Sequence, residues 1–84
     1  MTNSDYIHFD PTTLTTEVRY QDRVIFRARL NNWGGNFFGI DFSGPYAEEK
    51  KMLSLAAGTC LFRDQAEEIV LEHCKKCIDA VVAA

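Results

Sequence analysis

The chain has 84 residues, 46% of them apolar and 12% aromatic, with a net charge of −3. That length makes one domain (residues 1–84) with a single modest core, and that composition argues against global disorder. No apolar run approaches ~18 residues, so no membrane-spanning helix is expected.

Met1 to Asp10 has neither a basic n-region nor an apolar h-region, so no secretion signal is expected. Three cysteines, an odd number, suit a reducing compartment, and a cytoplasmic (intracellular) location follows as an expectation. Charge is unevenly spread. Residues 15–40 carry Arg19, Arg23, Arg27 and Arg29 against only Glu17 and Asp22, whereas residues 41–84 are acidic on balance.

Residues 1–5 are polar and expected to be loose. Tyr6 to Phe9 reads as a short strand, which Asp10-Pro11 stops, because the residue before a proline is pushed to extended geometry. Thr15 to Leu30 alternates apolar and polar residues on both sides of Gln21-Asp22-Arg23, the pattern of a half-buried hairpin. A three-residue loop would pair Tyr20 with Val24, Val18 with Phe26 and Thr16 with Ala28. On the other face it would pair Arg19 with Ile25 and Glu17 with Arg27, an opposite-charge pair. A two-residue loop would set Phe26 against Glu17, since one residue of slip exchanges the faces.

Asn31 to Asn36 is a turn by composition. Phe37 to Phe42 follows as a third strand, with Phe38, Ile40 and Phe42 on the buried face and Phe37, Gly39 and Asp41 facing out. Pro45 suits the first position of a helix over 45–57, capped by Ser43 or Gly44. Tyr46, Leu53, Ala56 and Ala57 would be its buried side, and Gly58 suits the position after its end. Thr59 to Phe62 is an extended link or a fourth strand.

The last helix is expected over 64–82. Asp64 is placed to cap it and Glu67 to reach back. Wound at 100° per residue, Val70, Cys74, Cys77, Ile78 and Val81 centre an apolar arc opposite Gln65, Glu68, Glu72, Lys75, Lys76 and Asp79. The arc covers more than half the circumference, wider than the ~100° stripe of an ordinary surface helix. A second helix, or a second copy of the chain meeting Leu71, Ile78 and Val82, would cover the excess.

These elements predict an α+β fold: an antiparallel meander over 15–42 of three strands, or four, with two helices, the long C-terminal one on one face of the sheet. That face would carry Val18, Tyr20, Val24, Phe26, Phe38, Ile40 and Phe42.

Chemistry-bearing patterns are sparse. His73, Cys74 and Cys77 have metal-ligand types, with Cys60 and His8 as the only other thiol and imidazole. A lone C-x-x-C on the apolar arc, however, is better read as core, so no metal and no cofactor is expected. The same pair lies far from the helix N-terminus that would activate a redox thiol. No nucleophile–base set or phosphate-binding glycine motif occurs, so no enzyme is expected. Paired acids Glu48-Glu49 and Glu67-Glu68 suit helix starts.

What remains is binding. Trp33 among Asn32 and Asn36, with Arg27, Arg29 and Phe37 on the outward sheet face, predicts a small non-catalytic protein-binding module. The acidic surface of Glu48, Glu49, Glu68, Glu72 and Asp79 would face a basic partner, such as a protein that handles nucleic acid. By analogy, phages and mobile elements use compact acidic proteins of this kind as inhibitors or adaptors. The alternative is nucleic-acid binding through the arginine-bearing outer face, with Glu17 and Asp41 diluting its charge.

Overall fold

The computed structural model describes residues 5–52 and 61–82. Among these, five strands form one antiparallel sheet in meander order. They are β1 (Ile7–Asp10), β2 (Thr15–Tyr20), β3 (Arg23–Gly34), β4 (Phe37–Ser43) and β5 (Leu61–Phe62). A short helix, α1 (Pro45–Glu49), follows β4, and α2 (Arg63–Val82) runs on directly from β5. The α+β class and the antiparallel sheet match the sequence reading. Against three or four expected strands there are five, with Leu61–Phe62 supplying the fourth and Ile7–Asp10 the fifth.

The β2–β3 hairpin shows how face preference and turn chemistry are reconciled. Val18 pairs with Phe26, Thr16 with Ala28 and Glu17 with Arg27, as alternation requires. The loop, however, has two residues, not three: Tyr20 pairs with Arg23 and Arg19 with Val24. Gln21 and Asp22 both take positive φ, 52° and 63°, the pattern of the two-residue turn whose twist matches the strands. A bulge between Val18 and Arg19 then absorbs Ile25 as an extra residue. Two faces are corrected by it. Ile25, expected outside, packs against the core, and Val24, expected inside, sits opposite outward-facing Arg19.

A second bulge corrects the segment 31–36. Asn31, Asn32, Trp33 and Gly34 continue β3 rather than forming a turn, and only Gly35 and Asn36 turn the chain. Asn31 pairs with Gly39 and Asn32 with Phe38, after which Trp33 and Gly34 together oppose Phe37.

α1 starts as expected, with Gly44 as the cap at φ 98° and Pro45 as its first residue. Only glycine takes that φ without strain, and the backbone oxygen of Ile25 lies 3.0 Å from where a Cβ would be. The helix ends at Glu49, well short of 57. Lys51 enters the left-handed region at φ 53°. Its N–H donates to the Glu48 carbonyl at 3.1 Å, and the Met52 N–H to the Ala47 carbonyl at 2.9 Å. That pair of bonds is a Schellman stop, with Lys51 where glycine is usual. Leu53, Ala56, Ala57 and Gly58, assigned to this helix and its end, lie outside the described residues, as do residues 1–4 of the N-terminal stretch expected to be loose.

α2 begins one residue earlier than expected, which moves the cap to Phe62. Gln65 reaches back to accept from the Phe62 N–H at 3.0 Å, the return half of a capping box. Asp64 sits inside the first turn, and Glu67 pairs instead with Arg63 at 3.0 Å. The Glu72–Lys76 pair forms at 3.4 Å. α2 lies over β2, β3, β4 and β5. Val18, Phe26, Ile40, Cys74 and Cys77 are fully buried between them, with Ala28, Leu30, Phe38, Ala66, Val70 and Ile78 around them. Phe26 stacks on Phe42 at 5.7 Å and meets Tyr46 of α1 edge-on at 5.9 Å.

Candidate binding face

With α2 on one side, the opposite side of the sheet is left open. Its rows follow from the register. His8 lies beside Glu17, Glu17 beside Arg27, and Arg29 beside Asp41. Toward the far end come Asn31, Gly39, Phe37 and Phe62, with Phe37 opposite Phe62 across β4 and β5.

The bulge in β3 sets Trp33 on this face. A Cβ built on Gly39 would lie 2.2 Å from Trp33 Cζ2 and 2.6 Å from Cε2, so the indole packs directly over the glycine. Gly39 is thus a seat, and no side chain fits beneath the ring. Phe37, two residues along the same face, stacks on Phe62 at 5.7 Å and 27°. Trp33 and Phe37 are each 44% exposed and Phe62 55%. Three half-exposed rings in one row are a large apolar feature for so small a surface.

Polar groups border the row. The Asn32 side chain accepts from the Gly34 N–H at 2.7 Å and donates to the Gly35 carbonyl at 3.2 Å, so it holds the turn that carries Trp33. Asn36 is exposed within that turn. Asn31 donates to the Asp41 carboxylate. Farther along, Glu17 takes both Arg19, at 3.2 Å, and Arg27, at 3.4 Å. Among the described residues Arg29 has no ion-pair partner, although Asp41 and Thr15 flank it in the sheet.

The residues singled out in the sequence therefore separate into two groups. Trp33, Phe37, Arg27, Arg29 and Asn36 share or border the open face, and Asn32 supports it. Glu68, Glu72 and Asp79 lie on the exposed side of α2, behind the sheet, and Glu48 and Glu49 are on α1. The two groups do not form one surface. Phe62 is the residue sequence reasoning missed. Treating Thr59 to Phe62 as a strand and giving it a register would have set Phe62 opposite Phe37.

The thiols turn inward. Burial pushes the Cys74 thiol up to about 12, helped by the neighbouring Cys77, and pushes Cys77 up to about 11. Such thiols stay protonated and unreactive near neutral pH. His73 meets Phe42 edge-on at 5.1 Å. Burial lowers its pKa first, with Lys76 adding to the fall and Glu72 opposing it. Among the described residues no three potential metal ligands converge, and no helix is long and apolar enough to cross a membrane. Ile78, expected in a dimer contact, is 3% exposed and belongs to the core, whereas Leu71 and Val82 remain open.

No family model, no curated protein and no solved structure matches the chain, so the reading of its surfaces rests on its own residues.

Proposed function

We propose that the protein is a small non-catalytic binding module that docks another protein on the open face of its sheet. One observation carries this reading: Trp33, Phe37 and Phe62 form a row of rings on a rigid sheet, with arginines at its border. Aromatic and arginine side chains dominate binding energy when a partner desolvates them, and rings on strands lose little freedom on binding. The partner presents an apolar hollow to the rings and acceptors to Arg29 and Asn36. The acidic residues of α1 and α2, on other sides of the molecule, would suit a second and basic contact, such as a protein that handles nucleic acid. Use as an inhibitor or adaptor fits such a module.

Nucleic acid is the second reading, favoured by Arg29 standing without an ion-pair partner beside a stacking platform. It ranks lower because Glu17, shared by Arg19 and Arg27, and Asp41, beside Arg29, offset most of the arginine charge, leaving little cation excess on the face. The test is capture from lysate of the source cell with the wild-type chain, with Trp33→Ala and with a Lys75→Ala control on the far side. A protein retained by wild type and control but lost with Trp33→Ala supports the protein reading; equal capture by all three refutes it. A short single strand that binds purified protein, weakening on a log–log salt plot with a slope of roughly −0.7 per phosphate contacted, would put nucleic acid first.

A further inference from the structure

β1 is an edge strand, and one of its sides has no partner among the described residues. Its hydrogen-bond phase is set by the Arg19 N–H, which donates to the Tyr6 carbonyl at 2.8 Å. Bonded pairs alternate along an antiparallel ladder, so His8 and Asp10 turn their main-chain groups toward β2. Ile7 and Phe9 turn theirs outward. Two N–H groups and two carbonyls therefore face away from the sheet, the template onto which a further strand adds.

Beside this edge, on the α2 side of the sheet, lies a groove of about 300 Å³. Its floor is Ile7, Phe9, Thr16 and Leu30, and its roof is Glu67, Val70 and Leu71 of α2. Phe9 is 50% exposed and Leu71 44%, so apolar surface stands at the mouth as well as inside. The charge around it is acidic. Asp64, Glu67 and Glu68 lie one to two turns before Leu71 on the same flank of α2, and Asp10 ends β1. Arg63 shares Glu67, and Lys75 lies one turn beyond Leu71, so the acids outnumber the bases.

We infer that β1 is a strand-addition site for an extended segment of a partner protein with apolar residues at alternate positions and lysine or arginine at its ends. The segment pairs antiparallel or parallel with Ile7 and Phe9 through their outward main-chain groups. Alternate side chains of a strand point to opposite faces, so its apolar residues enter the groove beneath Leu71. Its intervening residues project to the other face, while its basic ends run past Asp64, Glu67 and Glu68 on the α2 side. Main-chain bonds supply attachment, the groove selects an apolar anchor, and the acidic border selects the charge. This site is separate from the open face and does not depend on that face binding anything.

The test uses the purified full chain and blocked hexapeptides, followed by backbone NMR. The first peptide alternates valine and threonine between lysine ends, the second replaces the lysines by glutamate, and the third carries N-methyl groups on alternate amides of the first. The expected result is saturable binding of the first peptide with shifts at Ile7, Phe9 and Leu71. The glutamate peptide binds roughly tenfold or more weakly, as like charge at a rim predicts. The N-methylated peptide loses binding, and Leu71→Ala, an exposed change that leaves the fold intact, weakens the first peptide. Three outcomes overturn the inference: no binding of the first peptide up to about 1 mM, the weak end of specific affinity; equal binding of all three; or a dimeric mass with the Ile7 and Phe9 amides already protected from exchange, which would mean a second copy covers the edge.

Discussion

Replacing Gly39 by alanine tests the seat of Trp33 directly. The new methyl would lie 2.2 Å from Cζ2, 2.6 Å from Cε2 and 3.0 Å from Cη2 of the indole. Ordinary carbon contacts are about 3.5–4.0 Å, so the ring must withdraw by roughly 1.5 Å or swing off the sheet. A covered tryptophan buries about 150–250 Å². At 44% exposure Trp33 keeps roughly half of that covered, and at ~25 cal/mol per Å² its full release would cost about 2–3 kcal/mol. Against this, alanine lowers the entropy of the unfolded chain relative to glycine, a gain of about 0.5–1 kcal/mol. The expected net loss is therefore about 1–2 kcal/mol. Urea unfolding measures it, and the single tryptophan reports its own displacement as a red-shifted emission. The decisive comparison is the cycle with Trp33→Ala. Once the ring is gone, Gly39→Ala should be neutral or stabilising by roughly 0.5 kcal/mol. A Gly39→Ala chain with unshifted emission and undiminished stability would refute the seat, and with it the placement of the aromatic row.

Lys51→Gly should raise stability by about 1 kcal/mol in urea titration, because a left-handed non-glycine residue costs about 1–2 kcal/mol and the lysine is exposed. The Cys74 and Cys77 thiols, raised from 9.0 to about 12 and about 11, keep their protons in the fold after the unfolded chain has lost them. The thiols' contribution to stability should be whole below pH 9.0 and be lost as pH climbs from there through about 11–12; a thermal-unfolding midpoint flat across that range would contradict it. His73 has the opposite sign. Its lowered folded pKa means the unfolded chain binds the proton first, so stability should fall as pH drops through 6.5, and His73→Gln should flatten that limb in urea titrations. Val24→Lys should be tolerated on the outer side, whereas Ile25→Lys should cost several times more, on the order of 2 kcal/mol or above. The reverse order in denaturant titration would place the bulge elsewhere.

Alternation along Thr15 to Leu30 and Phe37 to Phe42 was enough to place Val18, Phe26, Ala28, Ile40 and Phe38 on one face, because a half-buried antiparallel sheet enforces a period of two. It could not locate the bulges. A bulge is a compromise between turn geometry and face, visible only when both ends of the hairpin are fixed at once. Without a bulge, a two-residue loop would set Phe26 against Glu17, so face matching alone favours the longer loop. Asn31 to Asn36 failed for a related reason: asparagine and glycine mark turns, yet here only the last two positions turn, and Trp33 is the residue the ladder skips. The end of α1 is not legible because its stop depends on Lys51 adopting a left-handed conformation, for which lysine gives no signal. The open face was legible in part. Trp33, Phe37, Arg27 and Arg29 followed from composition and phase, whereas Phe62 required a register for a strand of two residues. The apposition of Trp33 and Gly39 depends on a bulge and could not be read at all.

The breadth of the apolar arc on the last helix, which exceeds what one sheet face needs, has a geometric explanation. Strands lie about 4.8 Å apart, so five of them span roughly 20 Å. A helix with its side chains is about 10–12 Å across. One helix, even running obliquely, leaves a margin of the face uncovered. α2 leaves β5 and crosses β4, β3 and β2, so the margin falls at β1. There the sheet exposes Phe9, and the helix exposes Leu71, the part of its arc that Ile78 and Val70 do not carry into the core. The excess on the helix and the excess on the sheet are two walls of one groove. Had the arc been wide merely to stabilise the helix, its margin would face solvent with nothing opposite. Instead it overhangs an edge strand, β1, whose Ile7 and Phe9 main-chain groups point outward. Surplus apolar surface and surplus hydrogen-bonding capacity meet at the same place, and each costs the isolated protein solubility unless something is meant to occupy them.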